Sequence, residues 1–494
     1  VIAAVSHLSF IWFAIGDGHY MPATSDEYAY YNNARFFIEN HSLDAAYLVE
    51  ENVSRIGGFD AHGVAYTIFT GLIARVVGMR PLNMIITNLV FLGLTLLLIL
   101  RARFDRDQKT SIASILLLYA VVPVWLFTYF PETMMAFFGV SAGLLLLEAY
   151  RSESRARRNW YALGFAGIVA LAGAFRPSWL VCMVGLVPLA RNRREAAVFG
   201  LVVILSAAVS LVYLTLCFAP YPYGFLHEVT TALKAGDIVG LASLFAGNFL
   251  ANVGYFLSKA GPDWPMPGVS PGVVAAAHIS SGYLVLKYLL VFLCAMCFWV
   301  GIRERDRFAL AVGIMTVANM LVLFLLYDSR NWIEHRLLAP AFLMMVLVLG
   351  RRKQLMLLVP VMLLVLWPAT ANYTMNVMIA PHRRVALKYE RNPELVQEFQ
   401  NIKDEIPDHR LTTVLVSRFL YSPGDIPLMS LPLRNAQGYP IRYTFNLNPD
   451  EDQQTDDLTL HKPGFVDYVL VPDTLVGPLE DLDDVKLRLE RVAK

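Results

Sequence analysis

Long apolar runs separated by short polar breaks fill the chain from residue 1 to about 372, and beyond that point the pattern changes. Runs of about 18 or more apolar residues are long enough to cross a hydrocarbon core of roughly 30 Å; Met84–Leu100, Ala196–Phe218 and Tyr283–Ile302 are examples. Counted along the chain, about eleven spanning helices are expected. They lie near 1–17, 82–100, 110–128, 133–150, 159–175, 178–190, 196–218, 281–302, 308–327, 337–350 and 354–372. The runs at 178–190 and 337–350 are short for this task and need extra length or a tilted partner. The chain opens inside an apolar run without an initiator Met, as expected if a short N-terminal stretch is missing. Residues 1–15 then read as the remainder of a first span rather than a cleaved signal.

Composition agrees with this pattern. Hydrophobic residues make up 56% of the chain and charged residues only 16%, against roughly 25% charged in soluble domains. The net charge of +1 gives no bulk electrostatic case for nucleic acid. The placement of positive charge says more. Five short breaks are rich in Arg and Lys: 101–109, 151–158, 191–194, 303–307 and 351–353. Short cytoplasmic loops attract such residues, and two runs between neighbouring breaks put all five on one side. Under that rule His62–Gly78 cannot cross. It is short, carries Arg75, and reads as a juxtamembrane helix on the outer face.

Three long segments then face outward: a first loop, 18–81; a second loop, 219–280; and the tail, 373–494. The fold expected is an all-α polytopic membrane unit over 1–372 with a small extracytoplasmic α/β domain after it. In the second loop Pro220, Pro222, Pro262, Pro265, Pro267 and Pro271 break regular structure. In the tail, Thr412–Val416 and Val466–Val471 read as buried strands and Pro393–Glu405 as a helix. Asp450, Glu451, Asp452, Asp456 and Asp457 read as a solvated acidic loop or, less simply, a calcium loop. Cys294 and Cys297 have CxxC spacing inside an apolar run, where free Cys is an ordinary small hydrophobe.

Candidate chemistry collects in the first outer loop. Ser25 can cap a helix starting at Asp26, where acidic residues suit the helix dipole. Alternatively, one carboxylate there is a general base at the membrane edge. Asp26 and Glu27 are about 100° apart on a helix, so they do not both face one site. Gly57-Gly-Phe-Asp60-Ala-His62 adds a second acidic group after a turn-permitting glycine pair. Arg176, Arg330 and Arg336 fall at outer helix ends, the less usual side for arginine. They either bind phosphate, which suits the guanidinium fork, or pair locally with Glu132, Asp328 or Glu334. In the second loop His227, Glu228, Asp263 and Trp264 could line a groove, and Trp264 serves equally as an interface anchor.

The order of these marks resembles the GT-C glycosyltransferases. An acidic pair followed by Tyr28 and then Ala34-Arg35 is similar to the start of that superfamily's first periplasmic loop. So is Gly58-x-x-x-His62-Gly63-x-x-Tyr66, followed by an apolar helix to Gly78. Tyr129-Phe-Pro-Glu132, Ala174-Phe-Arg-Pro177 and Glu334-His-Arg-Leu-Leu-Ala-Pro340 resemble its outer turns, with Leu337 where a Tyr is usual. Protein O-mannosyltransferases and the lipid A aminoarabinose transferases belong to this superfamily. The resemblance covers the membrane part and leaves the tail unmatched.

The resemblance implies the GT-C fold and inverting transfer of a sugar from a polyprenyl-phosphate donor to a hydroxyl of a lipid, glycan or protein acceptor. Asp26 would be the base. Arg336, Arg176 and Arg330 would bind the donor phosphate, and Glu27, Asp60, His62, Tyr66 and Glu132 would contact substrate. No metal ligand set is implied, although the superfamily leaves room for a divalent cation, Mg or Mn, which Asp60 could assist. The partners expected are donor, acceptor and membrane lipids, and the location is a bacterial inner membrane with the site facing outward. Two alternatives stay open: a transporter or flippase of lipid-linked sugars, and a non-catalytic envelope assembly protein. Transporters place ionisable groups near mid-membrane, whereas here they collect at helix ends.

Overall fold

The computed structural model describes residues 2–16, 18–23, 25–49, 52–119, 121–219, 225–258, 275–326, 335–352, 358–416, 430–445, 465–472 and 487–492. The chain is an integral membrane protein whose described part is mostly helix. Its helices are α1 (Ile2–Ile15), α2 (Ser25–Asn40), α3 (Ala65–Val77), α4 (Pro81–Arg101), α5 (Arg106–Leu118) and α6 (Val121–Leu126). Then come α7 (Glu132–Arg151), α8 (Arg155–Phe175), α9 (Arg193–Cys217), α10 (Phe225–Ala235), α11 (Ile238–Ser258), α12 (Ala275–Arg303), α13 (Arg307–Leu326) and α14 (His335–Leu349).

Among the described residues, α4, α7, α9 and α13 are each long and apolar enough to cross a membrane alone. The expected helix at 178–190 is instead a 3₁₀ helix, Pro177–Leu189. At about 2.0 Å per residue, 3₁₀ winding stretches its 13 residues to roughly 26 Å, which makes up the length that an α-helix there would lack. The run at 110–128 divides into α5 and α6. Small residues let the central helices approach closely. A Cβ on Gly139 of α7 would lie 3.1 Å from the Pro340 Cα of α14, and one on Gly143 would lie 2.6 Å from a Leu347 methyl.

The five basic breaks meet at one end of the bundle. Arg103 and Arg151 both reach Glu148, and Arg191 donates to the Ser152 carbonyl at 3.2 Å. Arg158 pairs with Glu195 at 2.8 Å. Arg351 pairs with Asp306 and Arg352 with Glu304, while Gln108 donates to the Arg351 carbonyl at 2.8 Å. Gln108 also completes a reciprocal cap with Asp105 at the start of α5.

At the opposite end, α3 packs on α2 and exposes Leu72, Val76 and Val77. That apolar face suits the juxtamembrane placement expected for it. The second loop holds more order than its prolines suggested. The stretch between Pro222 and Pro262 contains no proline and folds into α10 and α11. Asn248 and Asn252 of α11 donate to the Phe324 carbonyl at the end of α13, at 3.3 and 2.9 Å.

The last apolar run does not stop at 372. Short helices α15 (Leu358–Val361), α16 (Trp367–Tyr373) and α17 (Ala380–Arg391) are joined by π-helical turns at Met362–Leu366 and Thr374–Ile379. The rod bends by 47° near Pro368, where the proline removes an amide donor. Residue 372 lies within this bent helical run. Helix α18 (Pro393–Glu405) follows, as expected.

The tail carries a five-stranded sheet. Central β2 (Thr412–Val416) is fully buried and parallel to both β3 (Ile441–Phe445) and β4 (Tyr468–Pro472), while β5 (Leu487–Arg491) closes one side antiparallel to β4. The other edge strand, β1 (Tyr47–Val49), comes from the first outer loop and pairs with β3 in parallel. The sheet thus joins the first loop to the tail, a link that no local pattern in 18–81 announces. The acidic stretch at 450–457 lies outside the described residues.

Candidate active site

Helix α2 begins at Ser25, so Asp26 and Glu27 occupy its first turn. Helical periodicity turns them in different directions. Asp26 is 35% exposed, whereas Glu27 is fully buried. The loop before α3 brings the second acidic group up to the first. Asp60 Oδ1 accepts the His62 backbone N–H at 2.9 Å, and Asp60 Oδ2 faces His62 Nδ1 at 3.1 Å. His62 Nε2 in turn lies 3.6 Å from Asp26 Oδ1. One imidazole therefore stands between two carboxylates, one buried and one partly exposed.

The loop geometry that permits this depends on glycine. Gly63 has φ +72°, and a Cβ there would sit 2.7 Å from the Phe218 ring at the end of α9. Ala219 donates its N–H to the Asp60 carbonyl at 3.0 Å, tying the loop to α9. From the other side, Asn33 donates to Asp60 Oδ2 at 2.7 Å. The Asn33 amide oxygen accepts from Ala46 N at 2.8 Å, at the edge of β1. Asn33 was not among the expected site residues, although two adjacent polar amides in a helix interior were an available signal.

Burial lowers the basicity of His62, but the charges and hydrogen bonds of Asp60 and Asp26 outweigh it and push the pKa up to about 10. For Glu27, burial raises the pKa. The charge and hydrogen bond of His382, with backbone N–H donors from Tyr129 and Ala23, more than offset this and bring it below the usual carboxylate value. The Glu27 contacts are short: 2.7 Å to Tyr129 N and 2.7 Å to His382 Nε2. Glu27 thus sits in a buried anchor joining α2, the turn before α7, and α17.

Tyr66 is buried and donates its hydroxyl to the Tyr129 carbonyl at 2.8 Å. Its ring meets Tyr30 edge-on at 4.7 Å, and Tyr30 also packs against His62 at 4.7 Å. Glu132 is buried at the start of α7 and pairs with Arg176, which is 14% exposed where α8 passes into the 3₁₀ helix. This is the local pairing weighed for Arg176 from the sequence. The pair lies close to the aromatic cluster, because Phe175 packs on Tyr66 and Phe130 on Tyr30. Arg330 lies outside the described residues, as does the side chain of Arg336 on α14. In the second loop Glu228 is exposed on α10, and the side chains of His227, Asp263 and Trp264 are not described.

Among the described residues no group of three or more His, Cys, Asp or Glu side chains is arranged to hold a metal ion. Asp60, the residue expected to assist Mg or Mn, has both oxygens engaged by Asn33 and His62. The four cysteines are free, and Cys294 and Cys297 are buried on α12.

Solved structures share this architecture. The oligosaccharyltransferase of Archaeoglobus fulgidus in its apo form matches with a TM-score of 0.53 at 13% identity, over 95% of this chain and 69% of that one. Its complex with Zn and sulfate matches with a TM-score of 0.51 at 12% identity, over 88% of this chain and 62% of that one. ArnT from Cupriavidus metallidurans bound to undecaprenyl phosphate gives a TM-score of 0.48 at 11% identity, over 96% of this chain and 92% of that one. No protein-family model and no curated protein matches the sequence. At these identities the likeness is one of fold: the chain is an integral membrane protein with the GT-C fold.

Proposed function

We propose that this protein is a glycosyltransferase that moves a sugar from a polyprenyl-phosphate donor to an acceptor hydroxyl at the outer face of a bacterial inner membrane. The observation that carries this reading is Asp26: a partly exposed carboxylate beside a buried Asp60–His62 pair, at the end of a GT-C bundle away from the basic loops. The positive-inside rule makes that end the outer one. A partly exposed carboxylate can meet an acceptor hydroxyl, which a buried one such as Glu27 cannot.

In the reaction, the acceptor oxygen attacks the anomeric carbon and its proton passes to Asp26. The bond from that carbon to the phosphate oxygen breaks, and the lipid phosphate leaves with the electron pair. Attack opposite the leaving group inverts the centre. Arginine can stabilise the charge growing on phosphate. Arg336 and Arg330 are the candidates for that role, with Arg176 contributing the part of its guanidinium not turned to Glu132.

Mass spectrometry of lipid-linked sugars and envelope glycans, from cells with and without the gene, tests the proposal. The expected result is loss of one glycan and build-up of one polyprenyl-phosphate sugar in the deletion. Rescue by the wild type but not by Asp26→Asn supports the assignment. Unchanged lipids and glycans in the deletion overturn it.

A further inference from the structure

We propose that His62 is the positioning residue of this site: clamped by Asp60 and Asn33, it holds one oxygen of Asp26 so that the other is presented to the acceptor hydroxyl. The inference rests on the reading of Asp26 as the base, and it gives His62 and Asp60 a task other than contacting substrate.

The argument begins with what fixes the imidazole. Asp60 is 5% exposed and cannot move freely. Asn33 donates to its Oδ2 at 2.7 Å, the His62 backbone N–H binds its Oδ1 at 2.9 Å, and its carbonyl accepts from Ala219 and Gly63. Asn33 is itself held by two backbone donors, Ala46 at 2.8 Å and Tyr47 at 3.4 Å. The carboxylate that meets His62 Nδ1 is therefore anchored to α2, α9 and the sheet edge. The Tyr30 ring packs against the imidazole at 4.7 Å, tilted by 57°. The charged groups acting on the ring are Asp60 from its own loop and Asp26 from α2.

With Nδ1 committed to Asp60, Nε2 has one direction left, and it faces Asp26 Oδ1. The 3.6 Å separation is longer than a hydrogen bond, and contacts of this kind in substrate-free sites commonly tighten when substrate binds. A protonated His62 flanked by two carboxylates attracts Asp26 Oδ1 and fixes which oxygen is occupied. The acceptor proton then goes to the other oxygen, and His62 keeps its own proton throughout. Asp26 is partly exposed, and a misplacement of about 1 Å costs up to roughly 100-fold in rate.

The test uses the full chain in lipid nanodiscs and in cells of the deletion strain. Nitrogen-15 spectra of the histidine rings, with His62 assigned through His62→Gln, report its charge without any substrate. The expected result is an imidazolium signal at pH 8 in the wild type and a neutral ring at that pH in Asp60→Asn. In cells, the glycan lost in the deletion should form about 10- to 100-fold more slowly with His62→Ala and Asp60→Asn. His62→Gln, which keeps a donor near Asp26, should recover part of that loss, with rates compared at equal amounts of folded protein.

Product at the wild-type rate from His62→Ala and Asp60→Asn, with none from Asp26→Asn, overturns the positioning role and leaves the base intact. A neutral His62 ring at pH 8 in the wild type overturns it as well. Product at the wild-type rate from Asp26→Asn overturns the base reading instead.

Discussion

Glu27 and His382 stand 355 residues apart in sequence and 2.7 Å apart in space, both fully buried. The contact fixes the first turn of α2 to α17. Helical periodicity turns Glu27 away from Asp26, and this contact holds it there. The Tyr20 ring stacks on His382 at 4.8 Å, and the Met378 carbonyl meets the other ring nitrogen. The turn carrying Asp26 is thus held by α17.

Breaking that contact should cost stability. Glu27→Leu or His382→Leu breaks a buried contact, which costs about 3–5 kcal/mol. The double replacement should cost clearly less than the sum of the two, because each single change already removes the same Glu27–His382 contact. Thermal unfolding of the purified chain in detergent measures all three; additive losses would disprove the coupling.

Acid should loosen the same anchor. Folding lowers the pKa of Glu27, so the unfolded chain binds more protons at this group. Its stabilising contribution is present above the unfolded value near 4.3 and is lost as pH falls through the lower folded value. Unfolding temperature should therefore fall less steeply with acid in Glu27→Gln than in the wild type.

His62 behaves in the opposite sense. Its pKa is raised on folding to about 10, so its contribution is complete below the unfolded value of roughly 6.5. It is lost as pH rises through about 10. The wild type should lose thermal stability between about pH 8 and 10.5, while Asp60→Asn, which removes the nearer charge, should show a flatter slope across that window.

The loop carrying Asp60 and His62 should not tolerate a side chain at Gly63. Its φ of +72° costs an L-residue about 1–2 kcal/mol, and the Phe218 ring occupies the Cβ position. Gly63→Ala should lower both the unfolding temperature and the rate of product formation. Gly236→Ala, also at positive φ but with open space around it, should lower stability and leave the rate unchanged.

Glu132 and Arg176 offer a further comparison. Glu132→Gln should weaken the turn between α8 and the 3₁₀ helix by about 3–5 kcal/mol, since it leaves a mostly buried guanidinium facing a neutral group. Arg176→Lys should recover little, because an ammonium lacks the planar fork. Melting of each variant beside the wild type decides the point.

Much of the fold was written in local pattern. Apolar length marked α4, α7, α9 and α13, and charge bias marked the five loops that meet at one end. Both signals are local, because a hydrocarbon slab and a membrane potential act on each segment separately. The bounds of β2 and α18 followed from short-range pattern too. Parts of the site were equally legible: adjacent acidic residues at a helix start must diverge, and Asp26 and Glu27 do.

Other features were decided only when distant segments met. That β1 is drawn from the first loop depends on a free parallel edge at β3, some 400 residues later. The choice of Asp26 rather than Glu27 as the exposed carboxylate depends on His382 and Tyr129 closing over Glu27. The placement of His62 between two carboxylates depends on Asn33 and on the ends of α9 and β1. A sequence specifies which side chains can pair; burial and long-range hydrogen bonds, which exist only once the chain is packed, select which of them do.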